Sequence, residues 1–207
     1  DKDLSDSWNL GAILGHNYFS TDVVSQSAVG NTLAAPDFYH ISNATDIQAF
    51  EGISRRKLMG VFGDVSLAYN NYLFINGTYR NDWTSTLPEG NNDFQSWSAS
   101  LGFAFTEALG MQNNPILPYG KLRVSYGAVG NDAPIYATQN YFNAAAATGD
   151  GFISGITFPA FGVNAFERDI QLGNNILTPE TTTTLEIGGE FKFLRGRLGL
   201  DVTYYNS

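Results

Sequence analysis

The strict alternation in the stretch WSASLGFAF (97–105) constrains the fold more than any other feature. Trp97, Leu101 and Phe103 fall on one side of an extended chain, and serine, glycine and alanine fall on the other. Successive side chains of a β-strand point to opposite faces, whereas an amphipathic helix repeats every three or four residues. The stretch therefore predicts a strand with one aromatic face and one small, polar face. The medium that the aromatic face meets is then the central question.

The same period of two returns along most of the chain and predicts an all-β, antiparallel fold of about seven strands. No run approaches the roughly 20 apolar residues that a membrane-spanning helix needs. The predicted strands cover 7–16, 59–69, 72–83, 94–106, 121–129, 183–193 and 198–205.

The connections between these strands differ in length. Those at 70–71 and 194–196 are tight, whereas those near 17–56 and 131–181 are long. Long and short connections are expected to alternate, which would bring the long ones to one end of the sheet. Transmembrane barrels show this asymmetry, with short periplasmic turns and longer extracellular loops. A β-sandwich has no reason to sort its connections in this way.

Aromatic residues are expected near both ends of the strands. Trp83 and Trp97 lie toward the long connections, and Tyr69, Phe105 and Phe193 lie toward the tight turns. Two aromatic bands around an aliphatic zone are typical of strands that cross two lipid–water interfaces. The pattern therefore favours an apolar face against lipid and a polar face against a watery lumen.

The alternation assigns particular residues to each face. The residues expected to face lipid are Val65, Ile75, Trp97, Leu101, Phe103, Val124, Ile187 and Leu200. The residues expected to face the lumen are Asp64, Arg80, Asp82, Lys121, Arg123, Glu186 and Glu190. For Arg80 and Asp82, an ion pair in the wall is favoured over a contact to a plug or to cargo.

The strand count predicts that the chain is part of a larger barrel. Single-chain bacterial barrels have an even number of strands, and an unpaired strand edge is not tolerated in lipid. The polar face is rich in serine, threonine and glycine with charges of both signs, and wide barrels hold water or a separate plug domain.

Three stretches, at 60–88, 120–132 and 177–206, resemble the C-terminal half of SusC/RagA-type TonB-dependent outer-membrane transporters. The resemblance implies a multi-pass barrel of about 22 strands in the bacterial outer membrane. It also implies import of oligosaccharides or oligopeptides in Bacteroidota, with a SusD-like surface lipoprotein as partner. The plug domain and the segment that contacts TonB are not recognisable in these 207 residues, so TonB is expected to act through an N-terminal region outside them.

Other function classes find little support. The net charge of −9 argues against nucleic-acid binding, and the absence of cysteine excludes thiolate metal sites. His16 and His40 have no partner at ligand spacing, and no GxSxG, HExxH or Gly-rich phosphate motif occurs. We therefore expect no enzymatic activity, cofactor or metal.

The connection at 131–181 is unusually rich in aromatic residues. Connections of this length are commonly functional, and exposed aromatic rings serve sugar and protein contacts. The candidates for contact with cargo or a lid lipoprotein are Tyr136, Tyr141, Phe142, Phe152, Phe158, Phe161 and Phe166. Packing of these rings on one another is an equally weighted alternative. The acidic residues Asp132, Asp150, Glu167 and Asp169 disfavour a polyanionic cargo at this place.

Two further classes stay open on the sequence. A soluble β-sandwich, acting as an adhesin or a carbohydrate-binding module, would also alternate apolar and polar residues. An outer-membrane barrel without an import role would share the strand pattern. Solubility without detergent would indicate the sandwich, and a plug domain encoded upstream would exclude the barrel without import.

Overall fold

The protein is organised around one antiparallel sheet of eight strands. The structure, a computed structural model, describes residues 1–147 and 155–207. The strands are β1 (Lys2–Ser5), β2 (Trp8–Gly30), β3 (Ile47–Tyr69), β4 (Leu73–Thr84), β5 (Asp93–Phe103), β6 (Tyr119–Asn131), β7 (Phe142–Ala144), β8 (Ala146–Ala147), β9 (Ile156–Thr157), β10 (Phe166–Arg168), β11 (Glu180–Phe193) and β12 (Leu198–Asn206). Neighbours in the main sheet follow the order β1, β2, β3, β4, β5, β6, β11, β12, so β1 and β12 form its two edges.

The strand register divides the residues of the main sheet between two opposite faces. Directly opposed residues share a face, and one apolar row runs across the sheet through Leu10, Leu67, Ile75, Leu101, Val124, Ile187 and Tyr204. All the residues predicted to face lipid lie on this face, and all those predicted to face the lumen lie on the other. That lipid covers the apolar face and water the polar face stays a prediction.

The predicted loop near 17–56 is wrong in its extent. Strand β2 continues to Gly30 and β3 begins at Ile47, so the connection spans only 31–46 and contains a short 3-10 helix, Ile41–Asn43. The two strands stay paired because the backbone ladder does not depend on apolar alternation, and this part of the hairpin is exposed on both faces. Strand β1, which pairs with the start of β2, was also not predicted.

The end of β5 also differs from the prediction. The strand ends at Phe103, and Phe105 begins a single helical turn, α1 (Phe105–Ala108). The ring of Phe105 lies over Gly120, where a Cβ atom would clash with it, and 6.4 Å from the ring of Phe191. Phe105 therefore stays on the apolar face. The connection 104–118 is longer than 85–92, so long and short connections do not alternate strictly.

The β-sandwich alternative is wrong. A sandwich buries the inner face of one sheet against a second sheet. In residues 1–147 and 155–207, the other strands form only the small pairs β7–β10 and β8–β9, both within the connection between β6 and β11. Ile75, Leu101 and Ile187 stay 41–52% exposed on the apolar face. Within the same residues, no helix combines the length and the apolar character needed to cross a membrane.

Candidate transport surface and outer connection

The ion pair predicted in RNDW is present on the polar face of β4. Both Nε and Nη2 of Arg80 donate to the carboxylate of Asp82, and Nη2 also donates to Oδ1 of Asn17 at 2.8 Å. The side chain of Asp82 is only 4% exposed, against 33% for that of Arg80. The arrangement leaves neither charge uncompensated, as expected of a wall-lining ion pair.

A second charged group lies toward the opposite edge of the same face. Arg123 donates to the carboxylate of Asp201 at 2.6 and 3.1 Å and to Oγ1 of Thr203 at 2.6 Å. Lys121 is directly opposite Glu190 in the register of β6 and β11. Acidic and basic side chains therefore lie close together on this face, as in the pairs Arg80–Asp82 and Arg123–Asp201.

Two phenylalanine rings interrupt the polar face, and the sequence reasoning missed them. The guanidinium carbon of Arg80 lies 5.8 Å from the centroid of the Phe62 ring, and Nζ of Lys121 lies 4.7 Å from that of Phe74. Contacts of this kind are cation–π interactions. In the alternation of their strands, Phe62 and Phe74 stand at positions whose side chains point to the polar face. That position in the pattern could have revealed these two rings.

An open groove on this face joins most of the predicted lumen residues. Lys121, Arg123, Glu186 and Glu190 line it, together with Phe74 and several small polar side chains. Asp64 lies outside the groove but accepts a hydrogen bond from Nδ2 of Asn76, which is in its wall, at 2.8 Å. Arg80 and Asp82 lie further along β4, so the predicted set divides into two clusters on one continuous surface.

The apolar face has aromatic residues near both ends of its strands. At the tight-turn end, ring centroids are separated by 4.6 Å between Trp8 and Tyr69 and by 5.4 Å between Tyr69 and Tyr72. At the other end, Trp97 and Tyr126 form an edge-to-face pair with a centroid separation of 5.6 Å. The predicted pair of aromatic bands is therefore present in the structure.

The outer connection between β6 and β11 (132–179) begins at a carboxylate that is largely shielded from solvent. Asp132 receives a bidentate hydrogen-bonded contact from Arg56 at 2.8–3.0 Å and bonds from the hydroxyls of Thr84 and Thr86 at 2.7 and 3.0 Å. Burial raises the pKa of Asp132, but the bonds from Thr84, Arg56 and Thr86 outweigh it and hold that pKa below its usual value. Asp132 is thus neutralised by Arg56 and is not a free negative charge toward cargo.

Tyr136 and Tyr141 form the best-defined part of the predicted cargo surface. Their ring centroids are 5.9 Å apart in an edge-to-face arrangement, and the Tyr141 hydroxyl donates to Oε1 of Gln139 at 3.1 Å. A shallow pocket opens between them and the side chains of Asp169 and Gln171. Burial raises the pKa of the Tyr141 hydroxyl above its usual alkaline value, so the hydroxyl stays protonated at neutral pH.

The other predicted aromatic residues are more dispersed. Phe142 and Phe166 lie in the small pair β7–β10, with side chains 66% and 71% exposed, and Phe161 is 91% exposed. Phe158 is half-buried, whereas Phe152 and the acidic Asp150 lie outside the described residues. Among the described members of this set, Tyr136 and Tyr141 are the pair whose rings meet. Within the described residues, the alternative that these rings pack together to order the connection therefore applies to Tyr136 and Tyr141.

Two of the remaining acidic residues have local structural partners. Asp169 accepts bonds from the Gln171 backbone amide at 3.1 Å and from Nδ2 of Asn143 at 3.2 Å, which lower its pKa. Glu167 accepts from the Ala146 amide at 3.4 Å. Within residues 1–147 and 155–207, no three His, Cys, Asp or Glu side chains converge in a way that could hold a metal ion.

Comparison with known proteins agrees with this architecture. The whole chain, residues 1–207, matches the family model described as TonB dependent receptor-like, beta-barrel. It is 26% identical over 212 residues to the TonB-dependent receptor P26 of Formosa agariphila, covering 99% of this chain and 20% of that protein. The chain therefore spans about a fifth of the length of this relative.

Solved structures share the fold at low sequence identity. The structure of the RagAB peptide transporter superposes with a TM-score of 0.79 at 18% identity, over 99% of this chain and 22% of that chain. The RagAB peptide importer in its closed-closed state gives a TM-score of 0.76, also at 18% identity and 99% and 22% coverage. These matches place the chain in the bacterial outer membrane. The chain belongs to the TonB-dependent receptor-like β-barrel family.

Proposed function

We propose that the chain forms part of the wall and the outer connections of a TonB-dependent nutrient importer of the outer membrane. Its cargo would be oligosaccharides or oligopeptides, and its role would be transport without enzymatic catalysis. The observation that carries this proposal is the two-faced sheet. One face has bare aliphatic side chains between two aromatic bands, and the other has ion pairs and small polar residues.

Lipid is the medium that best satisfies the apolar face. Aliphatic side chains such as Val65, Ile75 and Leu200 are about half exposed, and a contiguous apolar surface of this size marks a membrane or protein contact. The aromatic bands at both ends favour a membrane, since amphipathic rings collect at lipid–water interfaces. The ion pairs Arg80–Asp82 and Arg123–Asp201 would then face the lumen, where water or a plug domain could meet them.

The two edges of the sheet support a larger barrel. Strands β1 and β12 each have one neighbour in the sheet, which leaves a row of unpaired backbone groups on the other side. Such groups cost several kcal/mol each in hydrocarbon, so further strands must pair with them for the wall to close. The proposed whole is a barrel of the 22-stranded class with a plug in its lumen.

The proposed partners follow from the same relationships. The resemblance to SusC/RagA-type transporters, and the fold shared with RagAB, support a SusD-like surface lipoprotein at the end of the long connections. TonB would contact an N-terminal region outside these 207 residues. The connection 132–179, with Tyr136 and Tyr141 beside their pocket, is the part proposed to touch cargo or the lipoprotein.

Deletion of the whole transporter gene in its native bacterium tests the proposal. The two probes are fluorescently labelled oligosaccharides from starch hydrolysis and a labelled tryptic digest of casein. We expect uptake of at least one probe to fall in the deletion strain, to return with the restored gene, and to fall equally when TonB is removed. Uptake of both probes that is unchanged by the deletion, or that persists without TonB, would contradict this function and favour a barrel without an import role.

A further inference from the structure

We propose that Asp132 is a positioning residue that, together with Arg56, fixes the base of the outer connection 132–179 against β3. The anchor would hold the pocket between Tyr136 and Tyr141 at a set place beside the long β2–β3 hairpin. The anchor, which consists of the Arg56–Asp132 ion pair and the hydrogen bonds of Tyr136, rests on contacts within this chain. Its role in transport rests on the proposed function.

The first contact is an ion pair between distant parts of the chain, in which the carboxylate is shielded from solvent and the guanidinium is 39% exposed. Asp132 directly follows β6, and Arg56 lies in β3, 76 residues earlier. The side chain of Asp132 is 9% exposed, and its Oδ2 also accepts hydrogen bonds from the hydroxyls of Thr84 and Thr86. Both threonines are themselves buried. Removal of Arg56 would leave the shielded Asp132 carboxylate without its counter-charge, which favours this one geometry of the pair.

The second contact fixes the orientation of the chain beyond the ion pair. The hydroxyl of Tyr136 accepts from the Arg55 amide at 3.2 Å and donates to the Ile53 carbonyl at 3.4 Å. The tyrosine is four residues past Asp132 and reaches the residue next to Arg56. Two contacts at separate points prevent the connection from turning about either one. The tyrosine that forms one wall of the pocket is therefore held by β3 itself.

A neighbouring ion pair provides a natural control. Arg55 and Asp22 form a salt bridge of 3.2 Å between β3 and β2, but their side chains are 69% and 61% exposed. Exposed pairs of this kind contribute little to stability, because solvent screens both charges. The two adjacent arginines thus differ in burial and in what they hold: Arg55 pairs within the hairpin, and Arg56 pairs with the outer connection.

Hydrogen–deuterium exchange on the complete purified transporter in detergent tests the anchor. The variants are Asp132→Asn, Arg56→Gln, the double variant, and Asp22→Asn as the matched control. We expect amides in 133–141 to exchange about tenfold faster in either single variant than in the wild type. The double variant should exchange at the same rate as the single variants, because both substitutions break the same interaction. Exchange within β6 and β11 should stay unchanged, and Asp22→Asn should behave as the wild type.

Unchanged protection of 133–141 in Asp132→Asn, or additive effects in the double variant, would overturn the anchor.

Uptake then tests the positioning role of Asp132, with whichever of the two probes the wild type imports. We expect the half-saturation concentration to rise about threefold in Asp132→Asn with an unchanged maximal rate, since the pocket stays present but is no longer held in place. Faster exchange with unchanged uptake would overturn the positioning role. If the wild type imports neither probe, the proposed function fails, and the exchange result still decides the anchor.

Discussion

At the residue scale, Gly60 shows how closely the polar face is packed. A Cβ atom at this position would come within 2.8 Å of three groups: Asp82 Oδ1, Arg80 Nη2 and Asn17 Oδ1. The ion pair predicted from RNDW therefore requires a residue on the neighbouring strand that has no side chain. Glycine weakens a strand interior, so its presence here indicates a close approach.

Gly60→Ala should destabilise the protein by about 1–3 kcal/mol, because it forces apart a buried, charge-assisted hydrogen-bond network. Gly63→Ala, in the same strand, is the control, since the closest atom to its Cβ would be the Ile13 carbonyl oxygen at 3.8 Å. Urea unfolding of the complete transporter in lipid vesicles, followed by tryptophan fluorescence, measures both variants. Equal stability of the two alanine variants would show that the ion pair tolerates displacement.

The residue scale also shows which contacts the sequence could predict. Arg80 and Asp82 are two residues apart on one strand, so the alternation alone brings them to the same face. Arg56 lies in β3 and Asp132 follows β6, with β4 and β5 between them in the sheet, so their contact depends on the register and twist of the whole sheet. The local sequence pattern contains no information on the contact between Arg56 and Asp132. Asp132 was therefore interpreted only as one of several acidic residues in a loop.

At the element scale, β5 tests which face of the sheet meets lipid. Leu101 and Ser100 are neighbours on opposite faces, Leu101 in the apolar row and Ser100 opposite Asn76 and Ser125. Leu101→Arg should destabilise the inserted transporter by roughly 2–4 kcal/mol if it lies near the bilayer midplane, whereas Ser100→Arg should have a mild effect. Unfolding in lipid vesicles and recovery in the outer-membrane fraction measure the difference. Similar losses at both positions would contradict the lipid assignment.

The hairpin of β2 and β3 was only half predicted, for a physical reason. From about residue 17 to 30 every residue is exposed or nearly so, and the sequence NYFSTDVVSQSAVG has lost the clear alternation seen elsewhere. Alternation arises where the two faces meet different media, so its loss indicates that both faces meet water. The paired strands therefore are expected to project out of the membrane as a two-stranded arm.

Cysteine labelling checks that arm and the orientation of the sheet together. This chain has no cysteine of its own, which leaves the introduced thiol as its only reactive one. Ser27→Cys in the arm should react with a membrane-impermeant maleimide on whole cells, whereas Asn113→Cys, in the connection 104–118, should react only after the outer membrane is opened. Ala99→Cys on the apolar face should stay unreactive in both states. A reversed order for the first two positions would place the connections 31–46 and 132–179 in the periplasm.

At the scale of the whole molecule, the sheet and the outer connection are separable parts. The sheet is held by continuous strand pairing from β1 to β12, and the small pairs β7–β10 and β8–β9 make no strand pairing with it. The two ends of segment 142–168 lie close together, because the Asp169 amide donates to the Tyr141 carbonyl at 2.9 Å. Residues 142–168 can therefore be removed and the gap closed by a short glycine linker.

Replacement of 142–168 by such a linker should leave the transporter inserted but reduce cargo retention or association with the lipoprotein. The deletion removes Phe142, Phe161 and Phe166, which are 66–91% exposed and have no strand of the main sheet to cover them. It keeps Asp132, Tyr136 and Tyr141, so the anchored base of the connection stays in place. Copurification of the lipoprotein and uptake of the imported probe measure the effect, with outer-membrane recovery as the control for assembly. Uptake and association that both survive unchanged would show that the exposed rings only cover the barrel. Loss of uptake with retained association would instead place the aromatic segment in contact with cargo.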